Sequence, residues 1–157
     1  MAITSKTNPI NGSNGILYLW NETDSDYQPV ACLTSTEYGK TRESNEQEPT
    51  KCNPNEIRKR PGAISYTFSA DGEVFEDAQD ADPNKKFSAL EMLEKIEDET
   101  LDFKYDFNTA NENSYKRYFK GFVAEISISQ EVNENTPFSI TIEIMEKPTE
   151  TDPNEVV

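Results

Sequence analysis

The sequence contains no histidine, only two cysteines, six glycines and one tryptophan, and its 15 bases are outnumbered by 30 acids. Without histidine, imidazole acid–base catalysis, Ser-His triads and nearly all transition-metal sites fall away together. Cys32 and Cys52 make no zinc site by themselves. In a chain without an export signal both are expected as free thiols, Cys32 as a small core residue in the apolar Val30–Leu33 run and Cys52 in a polar loop. No Gly-rich phosphate loop is present. No apolar run approaches the roughly 18 residues a membrane span requires. The opening Met1–Gly15 is polar and lacks the apolar core of a signal peptide, so synthesis in a cytoplasm is expected. A formal net charge of −15 has the wrong sign for neutralising nucleic-acid phosphates or docking on an anionic membrane. It suits a protein that must stay soluble, or a surface that DNA should pass without sticking.

What is present is strict alternation. Four runs switch apolar and polar residues at period two, the signature of strands with one face on a core. They are Ile64-Tyr66-Phe68, Leu101-Phe103-Tyr105-Phe107, Phe122-Ala124-Ile126-Ile128 and Phe138-Ile140-Ile142-Ile144. The last two are joined by Gln130–Pro137 and should pair as a hairpin. At 157 residues the chain fits one domain with a real core. Its eight Phe and seven Tyr must supply much of that core, because hydrophobic content is low.

Residues 1–14 read as a flexible arm, 15–146 as a single domain, and 147–157 as a flexible, Pro-containing acidic tail. Ile16–Trp20 is apolar on both faces, Asn21–Asp26 is a turn, and Gln28–Tyr38 reads as the next strand. Gly39–Arg60 has almost no apolar residue and is expected to be a long inter-strand loop, disordered alone and ordered against a neighbour. It carries Glu43, Glu46 and Glu48 first, then Lys51, Arg58, Lys59 and Arg60. These seven are candidates for contact with a neighbouring molecule, the basic end meeting acidic surface such as the stretch 71–112. A strand from Gly62 is expected to turn at Asp71-Gly72 and to resume at Val74-Phe75. Ser88 and Glu91 form an S-x-x-E capping box, with Phe87 and Met92 placed for a hydrophobic staple. They start a helix over 88–98 whose inward stripe should be Leu90, Leu93 and Ile96; Leu93→Ala is then expected to cost about 2–5 kcal/mol. The long strand Tyr115–Val132 changes phase, with Gly121 at the predicted switch.

Two possible sites carry little. Carboxylates abound, so their adjacency is uninformative. Asp80, Asp82, Asn84, Lys86, Ser88 and Glu91 fit the spacing of a calcium loop, but Lys85 stands where glycine is needed and no helix precedes it; a solvated acidic loop is the expectation. No catalytic residue, cofactor or metal is expected.

From Arg60 onward the order of parts resembles the major tail tube proteins of long-tailed bacteriophages. The matching stretches are Gly62–Gly72, Phe87–Ile96, Thr100–Tyr105, Phe119–Ile128 and Thr136–Ile144, and the last strand departs from the family in running into Met145-Glu-Lys-Pro. The resemblance implies a mainly β, sandwich or barrel-like tube fold with one flanking helix. It further implies hexameric rings that stack around a channel for DNA, with the tape measure and tail terminator as partners, assembly in the host cytoplasm and residence in the virion tail. Under that reading the polar hairpin faces, Glu125, Ser127 and Ser129 with Ser139, Thr141 and Glu143, line the lumen or an inter-subunit contact. The alternatives are an acidic β-sandwich binding module or capsid-decoration protein, and the tube protein of a contractile injection or secretion apparatus.

Overall fold

The computed structural model describes residues 9–49, 51–52, 54–74 and 87–154. Among these residues there are seven strands: β1 (Ile16–Asn21), β2 (Asp26–Pro29), β3 (Cys32–Gln47), β4 (Arg58–Glu73), β5 (Leu101–Asp106), β6 (Lys116–Ile128) and β7 (Pro137–Ile144). One short helix, α1 (Ala89–Glu94), continues as a 3-10 turn over Lys95–Glu97. All seven strands belong to one sheet, in the order β2-β1-β5-β6-β7-β4-β3. Every neighbouring pair is antiparallel.

That order has a geometric consequence. β2 and β3 lie at opposite ends of the sheet, yet only Val30 and Ala31 separate them along the chain. Three residue steps reach about 11 Å at most, so the sheet must roll until its ends approach. Ala31 takes a left-handed conformation, φ 45°, and this kink splits the single strand expected over Gln28–Tyr38. Contacts cross the roll. Thr36 Oγ1 and the Tyr105 hydroxyl hydrogen-bond at 2.8 Å, and Tyr38 stacks on Tyr105 with ring centroids 6.2 Å apart. Phe87 inserts beside the gap, bridging to Val30.

The inside of the roll is the core. Leu17, Leu19, Phe68, Met92, Phe103, Ile140 and Ile142 are fully buried, with Tyr105, Phe119, Val123 and Phe138 around them. The apolar members of the β4, β5 and β7 alternations thus point inward as expected, although Ile64 stays exposed beyond the body. The β6–β7 hairpin forms as expected.

Five local expectations need correcting. The phase change in β6 lies at Ala124, where the register slips between Val123 and Glu125. Phe119, Gly121 and Val123 face inward before it, and Phe122 and Ala124 are exposed. Gly121 answers to close approach instead. A Cβ there would lie 2.5 Å from the Glu143 carbonyl oxygen and 3.2 Å from Ile142 Cγ2. Gly121→Ala is therefore expected to push β7 away and cost about 1–3 kcal/mol, read as a lower urea midpoint. A midpoint equal to the parent's would show that β7 yields freely.

No turn occurs at Asp71-Gly72, because β4 is held on both sides there. Gly72 pairs with Leu33 of β3 and with Phe138 of β7. Val74 continues with a hydrogen bond to Thr136, and Phe75 lies outside the described residues.

The helix presents the other face. Ser88 caps it as predicted, its Oγ accepting from the Glu91 N–H at 3.1 Å, but Ala89 and Met92 are the buried residues. Leu90, Leu93 and Ile96 are 56, 37 and 42% exposed. Small Ala89 lets the helix edge come close to the core so that Met92 fills the space. The 3-10 turn keeps i, i+3 residues aligned, so Ile96 stays in line with Leu90 and Leu93 on the outside.

The segment expected as a loop over Gly39–Arg60 is largely strand. β3 and β4 pair from Cys32–Glu73 out to Gln47–Arg58, leaving residues 48–57 as the connecting tip. β7 pairs with β4 only as far out as Thr67, so Lys40–Gln47 and Arg58–Tyr66 form a two-stranded ribbon about 25–30 Å long. Backbone pairing supplies the order that apolar burial does not.

The C-terminal segment is also anchored. Pro148 is buried, and Thr149 and Tyr118 exchange backbone hydrogen bonds at 2.8 Å. Residues 1–8, the first ligands of the calcium-like frame at 80–86, and 155–157 lie outside the described residues, as does the Cys32 side chain; Cys52 is an exposed free thiol. At the start, Asn11 caps a 3-10 turn at Gly12–Asn14. Among the described residues no helix is long and apolar enough to cross a membrane.

Candidate assembly surfaces

The outer face of β3, β4, β7 and β6 is built in rows set by register. Ser35, Asp71, Ser139 and Ser127 form one row, and Glu37, Ser69, Thr141 and Glu125 the next. Gly39, Thr67 and Glu143 follow, with Phe122 at the end. Ser127 and Ser139 hydroxyls hydrogen-bond at 3.0 Å, and Ser35 Oγ donates to Asp71 Oδ2 at 3.3 Å. These rows hold four acids, Glu37, Asp71, Glu125 and Glu143, and no lysine or arginine. Five of the six hairpin residues singled out from sequence lie together here. Ser129 sits just beyond β6, its N–H donating to the Pro137 carbonyl at 3.2 Å. Sequence reasoning missed Glu37, Ser69 and Asp71; the Ser65/Thr67/Ser69 alternation held part of that signal, but which strands adjoin the hairpin is a matter of topology.

The outer face of the other strands has a different chemistry. Trp20, Tyr27 and Tyr118 meet in series at steep interplanar angles, with centroids 4.9 and 5.7 Å apart. The Lys104 ammonium lies 4.9 Å from the Tyr18 ring centre and about 6 Å from Tyr27 and Tyr118. Loss of solvent, and then the Lys116 charge, lower the Lys104 pKa below the ordinary lysine value. Burial pushes the Tyr27 phenol up. The C-terminal segment covers this belt. Tyr27 donates to Asp152 at 2.8 Å, Asn154 donates to Asp102 at 3.2 Å, and Arg117 pairs with Glu150 at 3.2 Å. This strap gives part of the polar tail a fixed position.

The ribbon brings its seven candidate residues into a new arrangement. Glu46 pairs in register with Lys59, Asn45 with Arg60, and Gln47 with Arg58. One acid and one base well separated in sequence, Glu46 and Lys59, are thus cross-strand neighbours, while Arg58 and Arg60 lie opposite amides. With its amide oxygen turned to the guanidinium, Gln47 accepts from Arg60 at 2.6 and 2.8 Å. Glu43 lies beside Gly62, while Glu48 and Lys51 are exposed toward the tip.

No protein-family model matches the sequence, and no curated protein does. Solved structures are similar over most of its length. The tail of an empty gene transfer agent particle, determined with C6 symmetry, aligns at TM-score 0.64 and 16% identity over 92% of this chain and 100% of that one. The SPP1 tail tube aligns at 0.61 and 12% identity over 88% and 77% of the two chains. A chain of the sixfold-symmetrised anti-feeding prophage baseplate aligns at 0.60 and 8% identity, covering 89% and 94%. The chain has the tail-tube fold, mainly β with one short helix among the described residues, as the resemblance implied.

Proposed function

We propose that this chain is the structural subunit of a bacteriophage tail tube, closing into hexameric rings that stack around a channel for DNA. The observation that carries the reading is the four-strand wall of acids and hydroxyls on a tail-tube fold. A wall of fixed negative charge repels phosphates, so DNA slides past without being held. In this reading Glu125, Ser127, Ser129, Ser139, Thr141 and Glu143 line the lumen or a neighbouring subunit, joined by Glu37, Ser69 and Asp71. The ribbon bearing Glu43, Glu46, Glu48, Lys51, Arg58, Lys59 and Arg60 reaches the next ring. Its role is structural, with no catalysis. Tape measure and terminator proteins meet the tube, which is assembled in the host cytoplasm and ends in the virion tail. Likeness to the anti-feeding prophage chain favours a second reading, the tube of an injection apparatus with another cargo.

Concentrated protein viewed in negative stain should show rings or hollow rods, and sedimentation should show species of six times the 17.8 kDa protomer mass or more. A protein that remains a single protomer at every concentration and salt overturns the assembly reading. A tube whose lumen proved basic would overturn the electrostatic role of the wall.

A further inference from the structure

Two exposed surfaces of this chain complement each other. The first is the helix stripe of Leu90, Leu93 and Ile96, three aliphatic side chains in a line. Around it stand Glu91, Glu94, Glu97, Asp98 and Glu99, against one base, Lys95. That lysine is already engaged, 3.6 Å from Asp98 and over the Phe87 ring.

The second is the core-side face of the ribbon where it projects past the body. Alternation from buried Phe68 places Tyr66 and Ile64 on that face, with Lys40 and Arg42 as their cross-strand partners. The register then slips: three residue steps on β4, Ile64 to Pro61, answer two on β3, Arg42 to Ser44. A bulge that takes up one β4 residue keeps the Ser44–Pro61 and Glu46–Lys59 rows on the same face. The result is Tyr66, Ile64 and Pro61 among Lys40, Arg42 and Lys59, with Glu46 the lone acid. Lys40 lies 5.6 Å from the Tyr66 ring centre. Apolar groups framed by cations on one surface meet apolar groups framed by acids on the other.

We propose that the core-side face of one copy's ribbon lies over the Leu90–Leu93–Ile96 stripe of the next copy. The pairing rests on the assembly reading above and names the acceptor for the ribbon. Apart from half-buried Tyr66, both surfaces are exposed within one chain, and their matching charges make a second copy the occupant. Because the two surfaces differ, the contact is head-to-tail: each copy offers one ribbon and one stripe, and the contact propagates from copy to copy. A two-stranded ribbon is marginal alone, and apolar cover from a neighbour supplies what it lacks. The acid-to-base match fixes orientation.

The test uses mixed full-length copies, one with Ile64→Cys and the other with Leu93→Cys, both carrying Cys52→Ser. Oxidation after concentration should give a covalent dimer whose bridging peptides contain positions 64 and 93, and dilute protein should give none. Separately, Leu90→Asp with Leu93→Asp should raise the protein concentration needed for assembly roughly tenfold or more without lowering the melting temperature. Rods that form while no such bridge appears, and a charged-stripe variant that assembles like the parent, would overturn the pairing and leave the tube reading standing. A parent protein that never assembles overturns both. Should the charged variant fail to fold, the cross-link alone decides.

Discussion

Phe68→Ala should destabilise the subunit by about 3–5 kcal/mol, a large part of the roughly 5–15 kcal/mol that holds a domain of this kind folded. Phe68 is fully buried on β4. Its ring meets Tyr105 at 5.0 Å, Phe119 at 6.2 Å and Tyr38 at 6.5 Å. One truncation thus removes contacts to β3, β5 and β6 at once, where the rolled sheet meets itself. Neighbouring backbones are pinned by the sheet ladder and cannot collapse into the space, which places the cost toward the upper end. Leu93→Ala is the internal comparison. On the exposed stripe it should change stability by about 1 kcal/mol or less. Urea unfolding of both variants reads the difference. Equal midpoints would mean that the aromatic cluster does not hold the roll, and a reversed order would put the helix stripe inside.

Reversing Arg58, Lys59 and Arg60 to Glu should leave the far-ultraviolet spectrum unchanged and abolish rod formation. Each exposed ion pair across a contact is worth only about 0–1 kcal/mol, but a sixfold ring repeats every pair around its circumference. The parent should show the same dependence in milder form, assembling less readily as salt screens the contacts. The register adds a control. Lys59→Glu sets two acids opposite each other at Glu46, which is unfavourable inside the ribbon itself. Adding Glu46→Lys restores the cross-strand pair while Arg58 and Arg60 stay reversed. If that fourth change rescues rods, the defect was in the ribbon and not in the contact; if the triple variant forms rods normally, these cations have no part in stacking.

The strands were legible because alternation is a local signal. Phe138, Ile140 and Ile142 could face only one way, and the hairpin joining them to β6 followed from proximity in sequence. The capping box at Ser88 was local as well. Choosing the buried stripe of α1 was not: two stripes at the same spacing competed, and the richer one, Leu90-Leu93-Ile96, lost to Ala89 and Met92 because the smaller edge fits closer to the sheet. In β6 the sequence showed that the phase changed, and a glycine drew attention to the wrong residue, since Gly121 is required by the approach of β7 and not by the bulge. The ribbon was hidden for another reason. Strand pairing without burial leaves no hydrophobic alternation, so Lys40–Gln47 and Arg58–Arg60 looked like loop. That the polar hairpin residues share one face was legible from their alternation, but Glu37 and Asp71 could join them only once β3 and β4 were known to lie beside β7. The strap over Tyr27 depends on single polar contacts, for which sequence has no period.

The two-residue link between β2 and β3 also bears on timing. β3 with β4, and β6 with β7, are neighbours along the chain and close as local hairpins. β4 with β7 and β1 with β5 join distant segments, Phe68 to Ile142 and Leu17 to Tyr105, and such pairings form slowly because long stretches of chain must first be brought together. The acidic wall spans both hairpins, so it does not exist until β4 meets β7. A newly made chain therefore has no finished wall to offer a neighbour. Under the assembly proposal, folding of the single subunit would come before its joining to others, and the slowest pairing of distant strands would set that pace.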